Sequence, residues 1–371
     1  MSERSANSLS AIKSWLNQSS LPFIISGPCS VETPDQLLET AIGLRDTQKV
    51  DVLRGGIWKP RTRPNSFEGI GEPGLKWMQE VKKETGMAIM TEVATAEHVE
   101  LCLKHDVDML WVGARTTVNP FSVQEISDAL RGVDIPVFVK NPVNPDLQLW
   151  IGALERIQGA GITKLAAIHR GFSIHGSSIY RNKPMWEIPI ALRSLFPNID
   201  IVCDPSHICG RRDLLHQVAQ RAMDLGFNGL MIESHRSPDD AWSDAEQQLT
   251  PVAFAKLIDS LQFRKSNPSD LTVSNDLQSL RSKIDKIDEE IITLISDRMK
   301  ITEEIGHYKK QHDITIFQLE RWQEIMSTRS QLAAKLGLTE EFITIYLEQL
   351  HKESIRTQTR VMSGRQPDRE A

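Results

Sequence analysis

Short apolar runs alternate with longer amphipathic segments through the first two-thirds of the chain. Eight of these runs consist largely of β-branched or other apolar residues: FIISGP (23–28), VDVLRG (50–55), MAIMTEV (87–93), DMLWVGA (108–114), PVFVKN (136–141), TKLAAIHR (163–170), DIVCDP (200–205) and GLMIES (229–234). Strands that are apolar throughout, with helical segments between them, indicate a parallel sheet covered by helices. Eight such units in roughly 250 residues predict an α/β domain with a closed (β/α)8 barrel. An open doubly wound sheet is the alternative, against which stands the lack of a GxGxxG turn after the first run.

The pattern changes in the last hundred residues. Beyond a polar linker, apolar residues recur from Leu277 to Tyr308 at steps of three and four, interrupted at Arg298. This spacing predicts one helix of roughly 34 residues, about 50 Å long. Two more helices are expected near 316–336 and 339–358, with a turn at Gly337 between them. Because a module of roughly 95 residues cannot cover so long an apolar face by itself, a second copy of the chain is expected to pack there.

These patterns divide the chain into four parts. We expect the barrel in residues 1–263, a linker rich in Ser, Asn and Pro in 264–275, an all-α domain of three helices in 276–360 and a disordered tail in 361–371.

Composition limits the compartment and the partners. A formal net charge of −6 makes nucleic acid an unexpected partner. The N-terminus lacks the apolar core of a signal peptide, and no run is long enough to span a bilayer, so we expect a cytoplasmic protein without a membrane partner. The four scattered cysteines form no disulfide framework, so each is expected to be core filler or a site residue.

Polar or reactive residues stand at the end of every predicted strand. They are Cys29, Arg54 with Lys59 and Arg61, Glu92, Arg115, Lys140, His169 with Arg170, Asp204 with His207, and Glu233 with His235. Any one of them could be a solvated loop charge, but barrel enzymes build their sites at this edge. Five or six cations at one mouth would repel each other unless anionic ligands lay among them. The sequence therefore predicts substrates that carry phosphate and carboxylate groups.

Four of these side chains could surround a metal ion. Cys29, His207 and Glu233 end the first, seventh and eighth strands, which are neighbours in a closed barrel, and Asp244 lies in the following loop. A thiolate, an imidazole and two carboxylates suit Mn, Fe, Co or Zn better than Mg or Ca. The alternative is that Cys29 is a small buried residue, His207 caps a helix and Asp244 is a surface acid.

The motifs at the strand ends resemble those of the type I 3-deoxy-D-arabino-heptulosonate 7-phosphate (DAHP) synthases. They are GPCS (27–30), RxxxxKPRT (54–62), GAR (113–115), the lysine of VFVKNP, HRG (169–171), DPSH (204–207), the glutamate of IESH and DAEQQL (244–249). The resemblance implies a transferase that condenses phosphoenolpyruvate with erythrose 4-phosphate, at the start of the shikimate pathway, with one divalent metal ion per barrel.

Roles follow from this resemblance position by position. It implies that the metal ligands are Cys29, His207, Glu233 and Asp244. It implies that phosphoenolpyruvate is bound by Arg54, Lys59, Arg115, Lys140 and Arg170. It implies that Pro60, Arg61 and Thr62 bind erythrose 4-phosphate, with Asp204 nearby. Lys59 is the best candidate for a catalytic proton donor, and we expect the surrounding cations to lower its pKa.

The helical segment resembles the all-helical chorismate mutases, whose dimers entwine two three-helix chains. The resemblance rests on LxxLRxKIDxIDEEIxxLIxxR (277–298), IGHYKK (305–310) and ESIRTQ (353–358). It implies an isomerase that rearranges chorismate to prephenate. The binding residues that it implies are Arg281, Arg298, Lys309, Arg321, Ser354 and Gln358, with Arg298, Lys309 and Gln358 catalytic.

Helix geometry adds an argument for a homodimer. On an ideal helix Arg298 and Lys309 point the same way, whereas Arg281 lies about 25 Å from Arg298 and is turned by about 100°. One chain cannot direct both arginines at one ligand, so the partner's Arg281 is expected to enter the site.

Two departures from the mutase pattern keep an alternative open. Where many relatives carry acids, this chain has Gln318, which can still bind a hydroxyl, and Trp322, which cannot replace a carboxylate; Glu320 or another group could compensate. We expect a bifunctional enzyme, possessing synthase and mutase activity, with prephenate feedback on the barrel as a further hypothesis. The main alternative is a monofunctional metal-dependent barrel whose helical module dimerises or senses an effector. A phosphate-binding barrel without metal chemistry is a third possibility.

Overall fold

Eight parallel strands of the first part of the chain close into a barrel. The computed structural model describes residues 9–16, 22–59, 67–264 and 271–364. Each described strand pairs with the next along the chain, and the first pairs with the last. The strands are β1 (Phe23–Gly27), β2 (Val52–Arg54), β3 (Ala88–Val93), β4 (Met109–Val112), β5 (Val137–Lys140), β6 (Leu165–His169), β7 (Asp200–Cys203) and β8 (Gly229–Glu233). The predicted (β/α)8 barrel is confirmed, and the open sheet is excluded by the β1–β8 pairing.

Helices cover the outside of the barrel. They are α1 (Pro34–Thr47), α2 (Glu72–Thr85), α3 (Ala96–Lys104), α4 (Ala114–Thr117), α5 (Pro120–Ala129), α6 (Leu147–Gly159), α7 (Glu187–Leu195), α8 (Pro205–Cys209), α9 (Leu215–Asp224) and α10 (Pro251–Ser260). Local sequence sets several of their starts. Thr33 and Thr250, each followed by proline, accept a hydrogen bond from a backbone N–H in the first turn of α1 and α10.

The core of this unit has two layers. Side chains that point into the barrel, such as Phe23, Trp111 and Phe138, form one buried cluster. The alternate residues of the strands point outward and pack against the helices in a second cluster. Ile12 joins the inner cluster, and Trp15 meets Phe138 edge to face with 5.3 Å between ring centroids. The barrel interior is therefore filled, and the strand ends are left to carry chemistry.

Three helices form the second part of the chain. They are α11 (Leu271–Gln311), α12 (Leu319–Lys335) and α13 (Glu340–Ser363). Contacts divide the chain into two units, Met1–Ser266 and Asn267–Ala371. Within the second unit, α13 packs against both α11 and α12. No helix in the described ranges is both long enough and apolar enough to cross a bilayer.

The helical unit extends beyond the predicted limits at both ends. Residues 271–275, predicted as linker, belong to α11, because neither Pro nor Gly separates them from the periodic segment. Residues 361–363, predicted as disordered tail, belong to α13. Val361 is buried there and its carbonyl accepts a hydrogen bond from Lys310 Nζ at 2.9 Å. The helix ends at Gly364, which is left-handed with φ of 67°.

The first half of α11 carries an uncovered apolar face. This apolar seam consists of Leu277, Leu280, Ile284, Ile287 and Ile291, each between 38% and 58% exposed. Five large aliphatic side chains in one row on a water-facing helix are typical of a surface that another chain covers.

Candidate active sites

A candidate metal centre lies at the carboxyl ends of the barrel strands. Cys29 follows β1, Glu233 ends β8, and Asp244 lies in the loop beyond β8. One ligand atom from each of these residues lies within 4.8 Å of the other two, and Cys29 Sγ is 3.2 Å from Asp244 Oδ2. The structure therefore brings together three of the four residues predicted to hold a metal ion.

His207 completes the predicted set from α8, the short helix that follows β7. Its Nε2 atom lies 3.7 Å from Glu233 Oε1, and its Nδ1 atom lies 2.8 Å from Asp204 Oδ2. A carboxylate on the second ring nitrogen is how proteins commonly orient a metal-binding histidine. The alternative that His207 caps α8 is wrong, because Asp204 does so by accepting a hydrogen bond from the His207 backbone N–H.

The donor set fits a divalent transition metal. Glu233 is fully buried, and its Oε1 accepts no hydrogen bond from the described residues. Burial lowers the pKa of His207, so the imidazole is neutral near pH 7 and has a lone pair to offer. Burial, together with the charge of Glu233, raises the pKa of Cys29 to about 12. The thiol would therefore lose its proton on binding a metal, as thiolate ligands do.

A glycine fixes the approach of β1 to β2 at this centre. Gly27 has φ of 151°, and a Cβ atom there would lie 2.0 Å from the carbonyl oxygen of Arg54. Only glycine fits this position. The close approach brings Arg54 Nη2 to 3.3 Å from the carbonyl oxygen of Cys29, so the thiol and the guanidinium share one corner of the mouth.

Lys59 contacts the candidate metal ligands directly. Its Nζ donates to Cys29 Sγ at 2.8 Å and to the Cys29 carbonyl oxygen at 3.0 Å. Burial acts to lower the pKa of Lys59, but its interactions with Cys29 and Glu233 outweigh burial, and the pKa is raised. The expectation of a lowered pKa is wrong, because anionic ligand groups rather than cations dominate the described surroundings of this lysine.

Other predicted cations converge on the same mouth. Arg54 Nη1 lies 3.1 Å from Glu233 Oε1, and Lys140 Nζ lies 2.8 Å from Asp204 Oδ2. Both groups lie over the ring of Trp111, at 4.9 and 5.6 Å from its centroid. Burying two cations beside one aromatic ring requires compensating anions, which Glu233 and Asp204 supply.

Arg170 and Arg115 add positive charge after β6 and β4. Arg170 Nη1 donates to Asn182 Oδ1 at 2.7 Å. Burial lowers the pKa of Arg170 to about 10, and the positive charges of Arg181 and Arg115 act in the same direction. Mutually repelling guanidinium groups that depress a pKa indicate a pocket suited to a multiply charged anion.

Not every predicted residue can be placed in this pocket. Pro60, Arg61 and Thr62, like Arg63, lie outside the described residues. Asp204 is fully buried, and its Oδ2 contacts both Lys140 and His207. These contacts show Asp204 supporting two other site residues; its contact with erythrose 4-phosphate stays a prediction.

Sequence reasoning missed Arg181 and Gln247. Arg181 Nη1 donates to Asp244 Oδ1 and to Gln247 Oε1, both at 2.9 Å, and Gln247 Nε2 donates to Glu233 Oε2 at 2.6 Å. The two residues therefore tie both candidate carboxylate ligands into one network. Gln247 lies inside the DAEQQL motif, which is a signal that was available. Arg181 stands in a loop without periodicity, where no pattern marked it.

A cavity of about 660 Å³ lies among the three helices of the second unit. Six residues predicted for the mutase site line it: Arg298, Lys309, Gln318, Arg321, Ser354 and Gln358. Arg298 Nη1 donates to Ser354 Oγ at 2.7 Å, and Lys309 Nζ donates to the Ile316 carbonyl oxygen at 2.6 Å. Apolar side chains such as Ile301 and Ile325 complete the walls. Three cations in a partly apolar cavity suit a small dicarboxylate with an apolar ring.

Arg281 is the predicted mutase residue that this cavity lacks. It lies on the exposed first half of α11, more than four turns before Arg298, and does not line the cavity of its own chain. Glu320, considered as a replacement for a missing acid, does not line it either.

The structure also shows what Trp322 contacts. Its ring stacks on His351, with 4.2 Å between centroids and 22° between planes, and both side chains line the cavity. Sequence reasoning missed His351. A signal was available, because His351 stands three residues before Ser354 and seven before Gln358, on the same face of α13.

Comparison with known proteins agrees with this geometry. Residues 17–265 match the DAHP synthetase I family, and residues 280–359 match chorismate mutase type II. A phospho-2-dehydro-3-deoxyheptonate aldolase of Thermotoga maritima is 33% identical over 239 residues, covering 64% of this chain and 68% of the relative. A 2-dehydro-3-deoxyphosphooctonate aldolase of Vesicomyosocius okutanii is 27% identical, covering 65% of this chain and 89% of that protein.

Solved structures agree with the barrel. The crystal structure of the DAHP synthase from Thermotoga maritima has a TM-score of 0.57 at 32% identity, covering 64% of this chain and 67% of that one. A truncated form of the Thermotoga maritima synthase has a TM-score of 0.55 and covers 64% of this chain and 84% of that one. The chain belongs to the DAHP synthetase I family and joins a synthase barrel to a chorismate mutase domain of type II, in one bifunctional enzyme.

Proposed function

We propose that the barrel condenses phosphoenolpyruvate with erythrose 4-phosphate at the mouth formed by Cys29, His207, Glu233 and Asp244. Synthases of this family generally depend on a metal ion. The observation that carries the assignment is the meeting of a thiol, two carboxylates and a neutral imidazole beside Lys59. The ion would be Mn, Fe, Co or Zn, and it would supply Lewis acidity at the aldehyde oxygen.

The surrounding cations would bind and orient phosphoenolpyruvate. Arg115, Lys140 and Arg170 stand on three neighbouring strand ends, β4 to β6, where guanidinium and ammonium groups can hold phosphate and carboxylate. Arg54 and Lys59 stand on the other side, next to the metal ligands. This arrangement would place the enol carbon beside the aldehyde and lower the entropic part of the barrier.

Lys59 would supply the proton. A raised pKa keeps its amine protonated at neutral pH. The aldehyde oxygen gains negative charge as the carbon–carbon bond forms and becomes a much stronger base than an amine, so an ammonium group nearby can protonate it.

The helical unit would rearrange chorismate to prephenate in the cavity around Arg298. This pericyclic reaction needs no nucleophile, only a site that holds the folded conformer and stabilises charge on the ether oxygen. Arg298 and Arg321 would hold the two carboxylates, together with the partner's Arg281. Lys309 and Gln358 would donate hydrogen bonds to the ether oxygen. The amide of Gln358, whose Nε2 would donate this bond, is buried in the cavity wall.

A pair of variants of the intact chain tests both assignments at once. Cys29→Ser should abolish DAHP formation and bound metal while leaving chorismate consumption unchanged. Arg298→Ala should do the reverse. A chelator should act like the first variant. If a chelator left DAHP formation unchanged, the result would favour a phosphate-binding barrel without metal chemistry. If Arg298→Ala left chorismate consumption unchanged, the helical unit would be a dimerising or sensing module.

A homodimer and feedback belong to the same proposal. The apolar seam and the position of Arg281 outside its own cavity support a second copy of the chain.

Prephenate bound in the helical unit would then alter the synthase, since one chain carries both activities. The four cysteines are free, in keeping with a cytoplasmic protein. Synthase rates measured against prephenate concentration test the feedback, and Arg298→Ala should remove the inhibition.

A further inference from the structure

The mutase cavity offers many donors and few acceptors to its ligand. Chorismate carries two carboxylates and an ether oxygen, which accept hydrogen bonds, and one ring hydroxyl, which also needs an acceptor. Arg298, Arg321 and Lys309 provide positive charge for the first groups. Ser354 Oγ is already used, since it accepts from Arg298 and donates to the Leu350 carbonyl oxygen. Asp297 also lines the cavity, but it pairs with Lys300 at 2.8 Å.

His351 is, with Thr302 and Gln318, one of the polar side chains in the cavity wall that the proposed mechanism leaves unused. It continues the row of Ser354 and Gln358 toward the start of α13. Its Nε2 atom is buried and has no hydrogen-bond partner in the part of the chain that the structure describes. A buried ring nitrogen without a partner is costly, and a ligand that provides one is favoured.

Aromatic neighbours hold the ring of His351 in place. Trp322 stacks on one face, and Phe317 approaches at 64° with 5.8 Å between centroids. Burial lowers the pKa of His351, and the positive charges of Arg298 and Lys309 act in the same direction. The imidazole is therefore uncharged at neutral pH and has one nitrogen that accepts and one that donates.

We propose that His351 is a substrate-contacting residue of the mutase site that accepts the hydrogen bond of the chorismate ring hydroxyl, and that Trp322 orients it by stacking. This inference rests on the proposed mutase function. It also gives a role to the departure at position 322. The tryptophan cannot act as an acid, but it fixes an acceptor carried by the neighbouring helix.

Three variants of the full-length protein separate hydrogen bonding from packing. His351→Phe keeps an aromatic ring on Trp322 but removes the nitrogen atoms. His351→Asn keeps an acceptor but loses the stacking. Trp322→Glu combined with His351→Phe brings a carboxylate acceptor back into the same cavity. The readouts are kcat and KM for chorismate and for an analogue whose ring hydroxyl is replaced by hydrogen.

The expected result is selective for the hydroxyl. His351→Phe should lower kcat/KM for chorismate by about tenfold and leave that for the hydroxyl-free analogue unchanged. His351→Asn should lose less than His351→Phe, and Trp322→Glu should restore part of the loss. DAHP formation should be unchanged in all three, which controls for folding.

Several results would overturn the proposal. Equal losses with chorismate and with the analogue would make His351 a packing residue only. A selective loss in Gln318→Ala but not in His351→Phe would assign the hydroxyl to Gln318. Failure of the mutase function itself looks different, because the unmodified chain would then turn over neither compound.

Discussion

The proposed synthase chemistry depends on Lys59. Its ammonium group contacts Cys29 Sγ and has a raised pKa, so it lies next to the candidate metal ligands and is protonated at neutral pH. We expect Lys59→Met to lower kcat for DAHP formation by about a hundredfold or more, with a smaller change in KM for phosphoenolpyruvate. Steady-state kinetics on the metal-loaded protein measure this.

A surface lysine provides the matched control for that variant. Lys164 pairs with Asp134 just before β6, at the opposite end of the strands, so Lys164→Met should leave both constants unchanged. Near-normal kcat with only a raised KM in Lys59→Met would mean that Lys59 positions the substrate by its charge and donates no proton.

His169 makes the stability of the barrel depend on pH. It is fully buried among Trp186, Phe172 and Phe227, and burial lowers its pKa to about 3. Below a pH of about 6.5 the unfolded chain binds a proton at this residue that the folded chain does not bind. The free energy of unfolding therefore decreases as the pH decreases. Between pH 7.5 and 5.5 this residue should account for a loss of about 1 kcal/mol in the free energy of unfolding.

Urea unfolding at the two pH values measures that loss. His169→Phe should remove this part of the pH dependence, whatever it does to absolute stability. His216 is exposed on α9, so His216→Gln should keep the dependence of the parent. An unchanged pH dependence in His169→Phe would show that other groups cause it.

The strands and helices show which boundaries sequence reasoning could place. All eight strands were predictable in type and order, because runs of apolar residues mark strands buried on both faces. Each predicted run was longer than its strand, since apolar composition does not mark where the backbone leaves the sheet. The prediction made the helical unit too short at both ends. An apolar repeat marks only the helical residues that pack against other elements. The helix itself continues through exposed residues such as Val273 until it reaches a helix-terminating residue.

Site residues were predictable to different degrees for a similar reason. Cys29, His207 and Glu233 each stand at a strand end, and barrel closure alone makes such ends neighbours. Arg181 reaches Asp244 from an irregular loop, and His351 meets Trp322 from another helix. Those contacts depend on tertiary packing, which one sequence does not encode in any local pattern.

The last turn of α13 should matter for stability. Val361 is buried, and a Cβ atom on Gly306 would lie 3.3 Å from Val361 Cβ, so the two helices touch closely here. A chain that ends after Arg360 loses this contact and the hydrogen bond from Lys310. We expect it to be less stable by about 2 kcal/mol in its helical unit, which thermal unfolding followed by circular dichroism would show.

A chain that ends after Gly364 is the matched control. It keeps the whole of α13 and its left-handed end, so its transition should equal that of the intact protein. Equal transitions for both truncated chains would mean that residues 361–363 contribute nothing to stability.

At the scale of the whole molecule, the proposed homodimer predicts that each mutase site draws on two chains. Arg281→Ala and Arg298→Ala should each abolish mutase activity alone. When the two inactive variants are mixed and allowed to exchange subunits, half of the sites in each mixed dimer regain both arginines. We expect up to a quarter of normal chorismate turnover to return, since about half of the dimers in an equal mixture are mixed.

Synthase activity provides the internal control in this mixture, because neither substitution lies in the barrel. Mixing Arg298→Ala with Lys309→Ala is the negative control, since both residues line the cavity of one chain. If that pair recovered activity and the first did not, the predicted source of Arg281 would be wrong.

The apolar seam has a consequence for how the protein is made. A ribosome completes β8, the last barrel strand, at Glu233, before it reaches Leu277, the first residue of the seam. The barrel strands therefore leave the ribosome before the apolar seam of α11 does. Synthesis from the N-terminus thus lets the barrel begin to fold before the seam can meet a second chain, and it shortens the period in which an exposed seam on a nascent chain can bind other proteins non-specifically.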